Sequence, residues 1–391
     1  WPEVFESTYS WVELADYIPS LLCGISNPEK IKRSICAAGH KGLFNDDWGG
    51  LPDEDFLAML DPKLARLKER LYNRAYTACE PAGVLSEEWA EIWKLPREVP
   101  VSSGILDAHA GAVGAGVAKG VLVKIIGTSC CDITVQQADS SFKTIPGISG
   151  QVSDSVLPGF FGLEAGQSAV GDIFNWYLNH VCGKDELKHI DMSKEAKKLH
   201  VGASGLLALD WNNGNRSVLV NPRLSGLLLG QSLSTTQVEI YRALIESTGF
   251  GARKIIERLE EYGVSIEKII CCGGIAEKSP LLMQIYADIT GRTLQVSPSK
   301  GACALGSAVI ASVTAGKTAG GHDDFDVARQ AMITPSTEEY HPNLSNGAVY
   351  DRLYALYSTL HDGFGGICEN SDLSKIMPEL LELKNRQACR K

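Results

Sequence analysis

Lys268-Ile269-Ile270-Cys271-Cys272-Gly273-Gly274 is a short apolar run that stops on two glycines. Bounded by turn residues, such a run fits a strand buried on both faces. Beyond the glycines, Pro280 to Ile289 carries a helical pattern, Thr293 to Val296 reads as another strand, and Ala302 to Val313 as a helix of small residues. Strand, glycine turn, helix, strand, helix is the order of an α/β fold. Upstream, Thr235 to Tyr262 is a long helical pattern with Val238, Tyr241, Ile245, Ile255 and Leu259 apolar. Val121 to Ile126 and Asp132 to Gln136 read as two strands joined through Gly127-Thr128-Ser129-Cys130, a hairpin with a polar tip. The tail, Asp351 to His361 and Ile376 to Arg386, reads as helical.

Composition shifts at Pro96 to Pro100, after which Gly, Ala and β-branched residues dominate, so a domain boundary is expected near residue 102, giving parts 1–102 and 103–391. In the first part, residues 5 to 23 have apolar positions at mixed helical spacing. Pro52 to Tyr76 repeats Phe56, Leu57, Leu60, Leu64, Leu67 and Leu71 near i+3 and i+4. Between them Ala37-Ala38-Gly39-His40-Lys41-Gly42-Leu43-Phe44 reads as a small-residue turn that lifts Lys41 out on a tight backbone.

With 391 residues, 44% hydrophobic and 21% charged, the chain can bury sizeable cores, and its length points to about two domains. Against 47 Asp and Glu it has 37 Lys and Arg, a formal charge of −10, which argues against nucleic acid or an anionic membrane as partner. No run reaches the roughly 18 apolar residues of a membrane span and no secretion signal opens the chain, so a cytoplasmic protein is expected. Eleven Cys is an odd count with no Cys-x-x-Cys pair, and reduced, buried thiols are the expectation.

Five segments can carry chemistry. The tip Gly127-Thr128-Ser129 offers backbone N–H groups and hydroxyls to a phosphate, although such tripeptides are common hairpin turns. Gly273-Gly274 lets a ligand lie on bare backbone beyond a strand end, or is simply a tight turn. Asp107, alone among small residues at the entrance to a helix, can accept a hydroxyl proton or cap the helix; His109 beside it reads as structural. Gly162-Leu163-Glu164-Ala165-Gly166-Gln167-Ser168 reads as an exposed loop whose Glu164 and Gln167 suit sugar hydroxyls, with a solvated loop as the alternative. Arg216, after Asn213-Gly214-Asn215, reads as locking its own loop. No His and Cys spacing suggests a metal site.

Taken in order, Gly104 to Gly111, Gly127 to Ser129, Gly214 to Arg216, Gly273-Gly274, and Ala287-Asp288 with Gly291 resemble the motifs of the FGGY carbohydrate kinases, over residues 1 to about 365. The resemblance implies an actin-like ATPase (ribonuclease H-like) α/β fold of two domains with a cleft. Residues 1–102 would be the latter part of a sugar-binding domain and 103–391 the nucleotide-binding domain. It implies ATP and Mg2+ and transfer of phosphate to a ketopentose. L-ribulose is favoured by Ala37 to Lys41, Leu106 to His109, Ile126 to Asp132 and Glu164 to Phe174; xylulose, ribitol or a silent sugar-binding regulator are the alternatives. Asp107 would be the general base, with Lys41 and Glu164 on the sugar and Gly127, Thr128 and Ser129 on the phosphates. Gly171, Asn175, Gly273, Gly274 and Lys278 would line the adenosine site, and a homodimer is implied. The family's opening Asp-Gly-Gly-Thr-like hairpin has no counterpart, as no Asp-x-Gly-Thr occurs, and the chain opens on Trp1 without Met, so a missing N-terminal segment is expected.

Overall fold

The structure is a computed structural model of the chain, and it describes every residue except 139–141, 184–188, 369 and 389–391. Its centre is a seven-stranded sheet in the spatial order Glu339–Tyr340, Leu294–Val296, Lys268–Cys272, Val121–Ile126, Cys130–Gln137, Phe160–Gln167, Gly150–Ser153. Lys268–Cys272 lies parallel to both of its neighbours, whereas from Val121 onward each strand is antiparallel to the next. The two halves meet at one seam, the hairpin Val121–Ile126 with Cys130–Gln137.

Each face buries its own apolar cluster. The 25-residue helix Gln237–Glu261 covers one face, where Leu122, Ile126, Cys130 and Cys271 pack with Tyr241, Ile245 and Tyr286. Thr236 and Glu239 form a reciprocal capping box that starts this helix. Against the other face lie Asp107–Ala115 and Ala302–Ala315, with Val113, Val123, Ile133 and Val309 in the core. These two helices are built from small residues because their backbones nearly touch: a Cβ on Gly114 would stand 1.9 Å from the Ala302 carbonyl oxygen, and one on Gly306 1.8 Å from that of Ala110.

Residues 1–102 form short helices and two-stranded ladders, Arg33–Ser34 with Ala75–Tyr76 and Pro81–Val84 with Pro100–Ser102. The helix expected over Pro52 to Tyr76 is divided into Glu54–Leu60 and Pro62–Lys68, because Pro62 drives Asp61 into extended backbone (φ −161°, ψ 127°), and Ala75–Tyr76 is strand. The turn expected at Ala37 to Phe44 is instead mostly the helix Ile35–Lys41, capped by Ser34 and packed so closely that a Cβ on Gly39 would strike Val152. Gly162 to Ser168 is not an exposed loop. Phe160–Gln167 is a strand, and residues 162–167 are buried; Gly166 is required because a Cβ there would lie 2.1 Å from the Cys130 carbonyl oxygen. Cysteines 23, 36, 79, 130, 131, 182, 271, 272, 303 and 368 are free thiols; of these Cys36, Cys130, Cys271 and Cys272 are buried as expected, Cys23, Cys79, Cys131 and Cys182 are only partly buried, and Cys303 and Cys368 are exposed. Among the described residues no helix is long and apolar enough to cross a membrane.

Candidate active site

The hairpin tip is held from behind. Gly127 N–H donates to the Ser129 carbonyl (2.8 Å), Val170 N–H to the Thr128 carbonyl (2.8 Å), and Gly171 N–H to the Gly127 carbonyl (3.1 Å). Here the helix Gly171–Trp176 begins, and a cavity of about 800 Å³ opens beside it. Gly127, Thr128, Gly171, Asn175, Gly274 and Lys278 all line it, with Phe174, Tyr241, Ile245, Ile275 and Leu281 as an apolar wall. Bare backbone at one end and an apolar wall at the other suit a ligand with an anionic tail and a flat ring. Ser129 and Gly273 are not in this lining. Gly273, at φ +95°, packs against Ile126, whose carbonyl oxygen a Cβ would approach to 2.6 Å; Gly274, with open space around it, starts the short helix Gly274–Lys278 before Pro280–Thr290.

Lys41 and Asp107 come together at a second cavity, of about 600 Å³, whose lining includes residues from both sides of position 102: Glu13, Pro19 and Lys41 from one, Asp107, Ser307 and Ile310 from the other. Lys41, the last residue of its helix, is half-exposed with Nζ 4.0 Å from Glu13 Oε2. Asp107 is exposed at the first position of its helix. The cap is Leu106, so Asp107 is not the N-cap; its Oδ1 accepts the Ala108 N–H at 2.8 Å.

Glu164 does not line that cavity. Its carboxylate is buried among groups from three other segments: Arg216 Nη2 pairs with Oε1, while His40 Nδ1 stands 3.3 Å and His109 Nε2 3.5 Å from Oε2. Arg216 therefore reaches across to Glu164 and, at 3.6 Å, to Cys131 Sγ rather than locking its loop. Asn215 does that, its Oδ1 accepting the Val218 and Leu219 N–H groups. Burial above all lowers the pKa of His40, and burial followed by His40 and Arg216 holds His109 well below the ordinary histidine value. His40 Nδ1 and both ring nitrogens of His109 have no hydrogen-bond partner of proper geometry. Their ligand atoms and that of Glu164 lie within 4.8 Å of one another. A dication there would adjoin the Arg216 guanidinium, which already balances Glu164, and its charge would be left without an anion in a buried site.

Residues 122–315 match the FGGY family of carbohydrate kinases, C-terminal domain. The chain is 39% identical over 398 aligned residues to a ribulokinase from Bacillus licheniformis, covering 99% of this chain and 69% of that protein. The chain belongs to the FGGY family of carbohydrate kinases. To a ribulokinase from Geobacillus thermodenitrificans it is 40% identical, over 93% of this chain and 65% of that one, so this FGGY chain spans about two thirds of the length of these relatives. The FGGY fold is equally evident in solved structures. A xylulose kinase from Rhodospirillum rubrum superposes with a TM-score of 0.78 at 24% identity (94% of this chain, 70% of that), and a gluconate kinase from Lactobacillus acidophilus with 0.77 at 19% (93% and 70%). With the family match, these likenesses show the expected actin-like α/β fold.

Two buried residues of this FGGY chain were not legible as a site. His40 and His109 sit in separate segments, each near a residue that lines the second cavity, Lys41 and Asp107; no spacing rule connects them, and only the packing of Ile35–Lys41 and Asp107–Ala115 on either side of Glu164 brings their rings to 4.4 Å.

Proposed function

We propose that the chain carries out ATP-dependent phosphorylation of a ketopentose, L-ribulose to L-ribulose 5-phosphate, between a sugar part, residues 1–102, and a nucleotide part, residues 103–391. The observation that supports it most is the pair of cavities, one lined by the hairpin tip and an apolar wall, the other by Lys41 and Asp107, in a chain similar to ribulokinases over nearly its whole length. Asp107 is the general base: Oδ1 is engaged by the Ala108 N–H, and Oδ2 takes the proton of the attacking sugar hydroxyl as the phosphoryl group arrives in line. Lys41 orients the sugar by a charge-assisted bond, while Glu164, outside the cavity lining and held by Arg216, supports the sugar side from behind through His40 and His109. Gly127 and Thr128 hold phosphates at the hairpin tip, which Ser129 closes by accepting the Gly127 N–H, while Gly171, Asn175, Gly274 and Lys278 surround the adenosine and Gly273 shapes the turn behind them against Ile126. Magnesium enters with the nucleotide and offsets phosphate charge.

Sugar-dependent ADP release with Mg-ATP and a panel of pentuloses and pentitols tests this reading. Release strongest with L-ribulose supports it; release strongest with xylulose or ribitol keeps the kinase and overturns the sugar. Sugar-induced thermal stabilisation without ADP release would instead establish a silent sugar-binding regulator.

A further inference from the structure

Lys124 and Asp132 stand directly opposite each other in the hairpin beneath its tip. Lys124 Nζ donates to both carboxylate oxygens, at 2.6 and 2.7 Å, and the two side chains are 1% and 0% exposed. They lie in the apolar cluster under the long helix, and Cys130 Sγ is 3.2 Å from Asp132 Oδ1. Stability does not account for such a pair, since apolar residues of similar volume usually serve a core as well or better.

Register does account for it. The part of the sheet that holds the parallel strands and the antiparallel part are joined, among the described residues, through the ladder that pairs Val123 to Ile126 with Cys130 to Ile133 and one further bridge, Lys119 with Val135. Sliding one strand by two residues would keep Leu122, Ile126 and Cys130 on the same face, so the apolar pattern does not forbid it. It would set Lys124 opposite Cys130 or Thr134 and leave two buried charges unpaired. It would also undo the Ile126–Cys130 closure that confines the loop to Gly127, Thr128 and Ser129. We propose that Lys124 and Asp132 are positioning residues, a register lock across the seam that holds the hairpin tip in its phosphate-binding shape. The phosphate role rests on the functional reading above; the lock itself does not.

The test is the double variant Lys124→Met/Asp132→Leu, which removes both charges and keeps the volume apolar. Its thermal midpoint is expected to equal or exceed that of the parent. Amide hydrogen exchange at Gly127, Val170 and Gly171 should become at least about 10-fold faster, and ADP affinity at least about 10-fold weaker, while affinity for the sugar holds. The swapped variant Lys124→Asp/Asp132→Lys, which restores a pair at the same register, should slow the exchange again, and it decides the question if the apolar variant does not fold. Parent-like exchange at the tip in the apolar variant overturns the lock, as does a swapped variant that exchanges fast. If the parent binds no ADP, the nucleotide reading fails and the exchange rates alone judge the lock.

Discussion

The two faces of the sheet bury charge in opposite ways. Under the long helix, Lys124 and Asp132 form a closed pair in which both carboxylate oxygens are matched by one ammonium. On the face toward Asp107–Ala115, Glu164 is answered by Arg216 but also faces two imidazoles, of which His40 Nδ1 and both nitrogens of His109 lack hydrogen-bond partners among the described residues, while His40 Nε2 meets Ser155 Oγ. The difference follows from what surrounds each. The closed pair sits within one hairpin, where neighbouring strands fix geometry to a fraction of an ångström. The open cluster draws on four segments, one of them from residues 1–102, and any shift of that part alters it. A closed pair sets a shape; an open one responds to a ligand or a motion.

The largest effect is expected beside the open face. Asp107→Asn should lower turnover about 10³-fold, roughly 4 kcal/mol, with nucleotide affinity retained; near-normal steady-state turnover would remove Asp107 from the chemistry. Next comes the closed pair broken on one side: Lys124→Met leaves Asp132 buried and unmatched and should destabilise by about 3 kcal/mol in urea unfolding. If the cost is only a few tenths, the pair is hydrated and the contrast between the faces collapses.

Gly114→Ala probes the close helix contact behind the open face. With the Ala302 carbonyl 1.9 Å from the new Cβ, a loss of about 2 kcal/mol is expected in the same unfolding measurement. Glu164→Gln should cost less than Lys124→Met, about 1–2 kcal/mol, because Arg216 is one-third exposed and can rehydrate; an equal or larger loss would show the two clusters to be alike. Smallest is the pH effect. His109, held neutral by burial, has a folded pKa well below its unfolded one, so on acidification the unfolded chain takes up the proton first. Its contribution is full above about pH 6.5 and is lost as the pH falls below that value. Thermal midpoints of His109→Gln should therefore fall less steeply between about pH 6.5 and 5 than those of the parent; parallel curves would show that this imidazole is not kept neutral.

What could be read from the chain was whatever local chemistry repeats. The strand Lys268–Cys272 and its glycines, the hairpin, and the long helix between Thr235 and Tyr262 lie where apolar period and turn residues put them. So do the small-residue helices, whose composition already demanded close packing. Where a segment's pattern was ambiguous, neighbours decided. Gly162 to Ser168 looks like a loop because its glycines are turn residues in isolation; flanked by two strands, the same glycines admit backbone that any side chain would displace. Lys41 sits on a helix rather than a turn because Ser34 caps Ile35–Lys41 and Val152 packs against Gly39.

The sequence by itself determined the α/β order, the acidic character and the family, since these depend on residue type and on spacings of a few positions. Tertiary structure alone decided that Lys41 and Asp107 share a cavity, that Arg216 crosses to Glu164, and that two histidines from distant segments end up with buried, unpartnered nitrogens. Burial and mutual distance are properties of packed segments, and a residue carries no local mark of the partner that folding will place beside it.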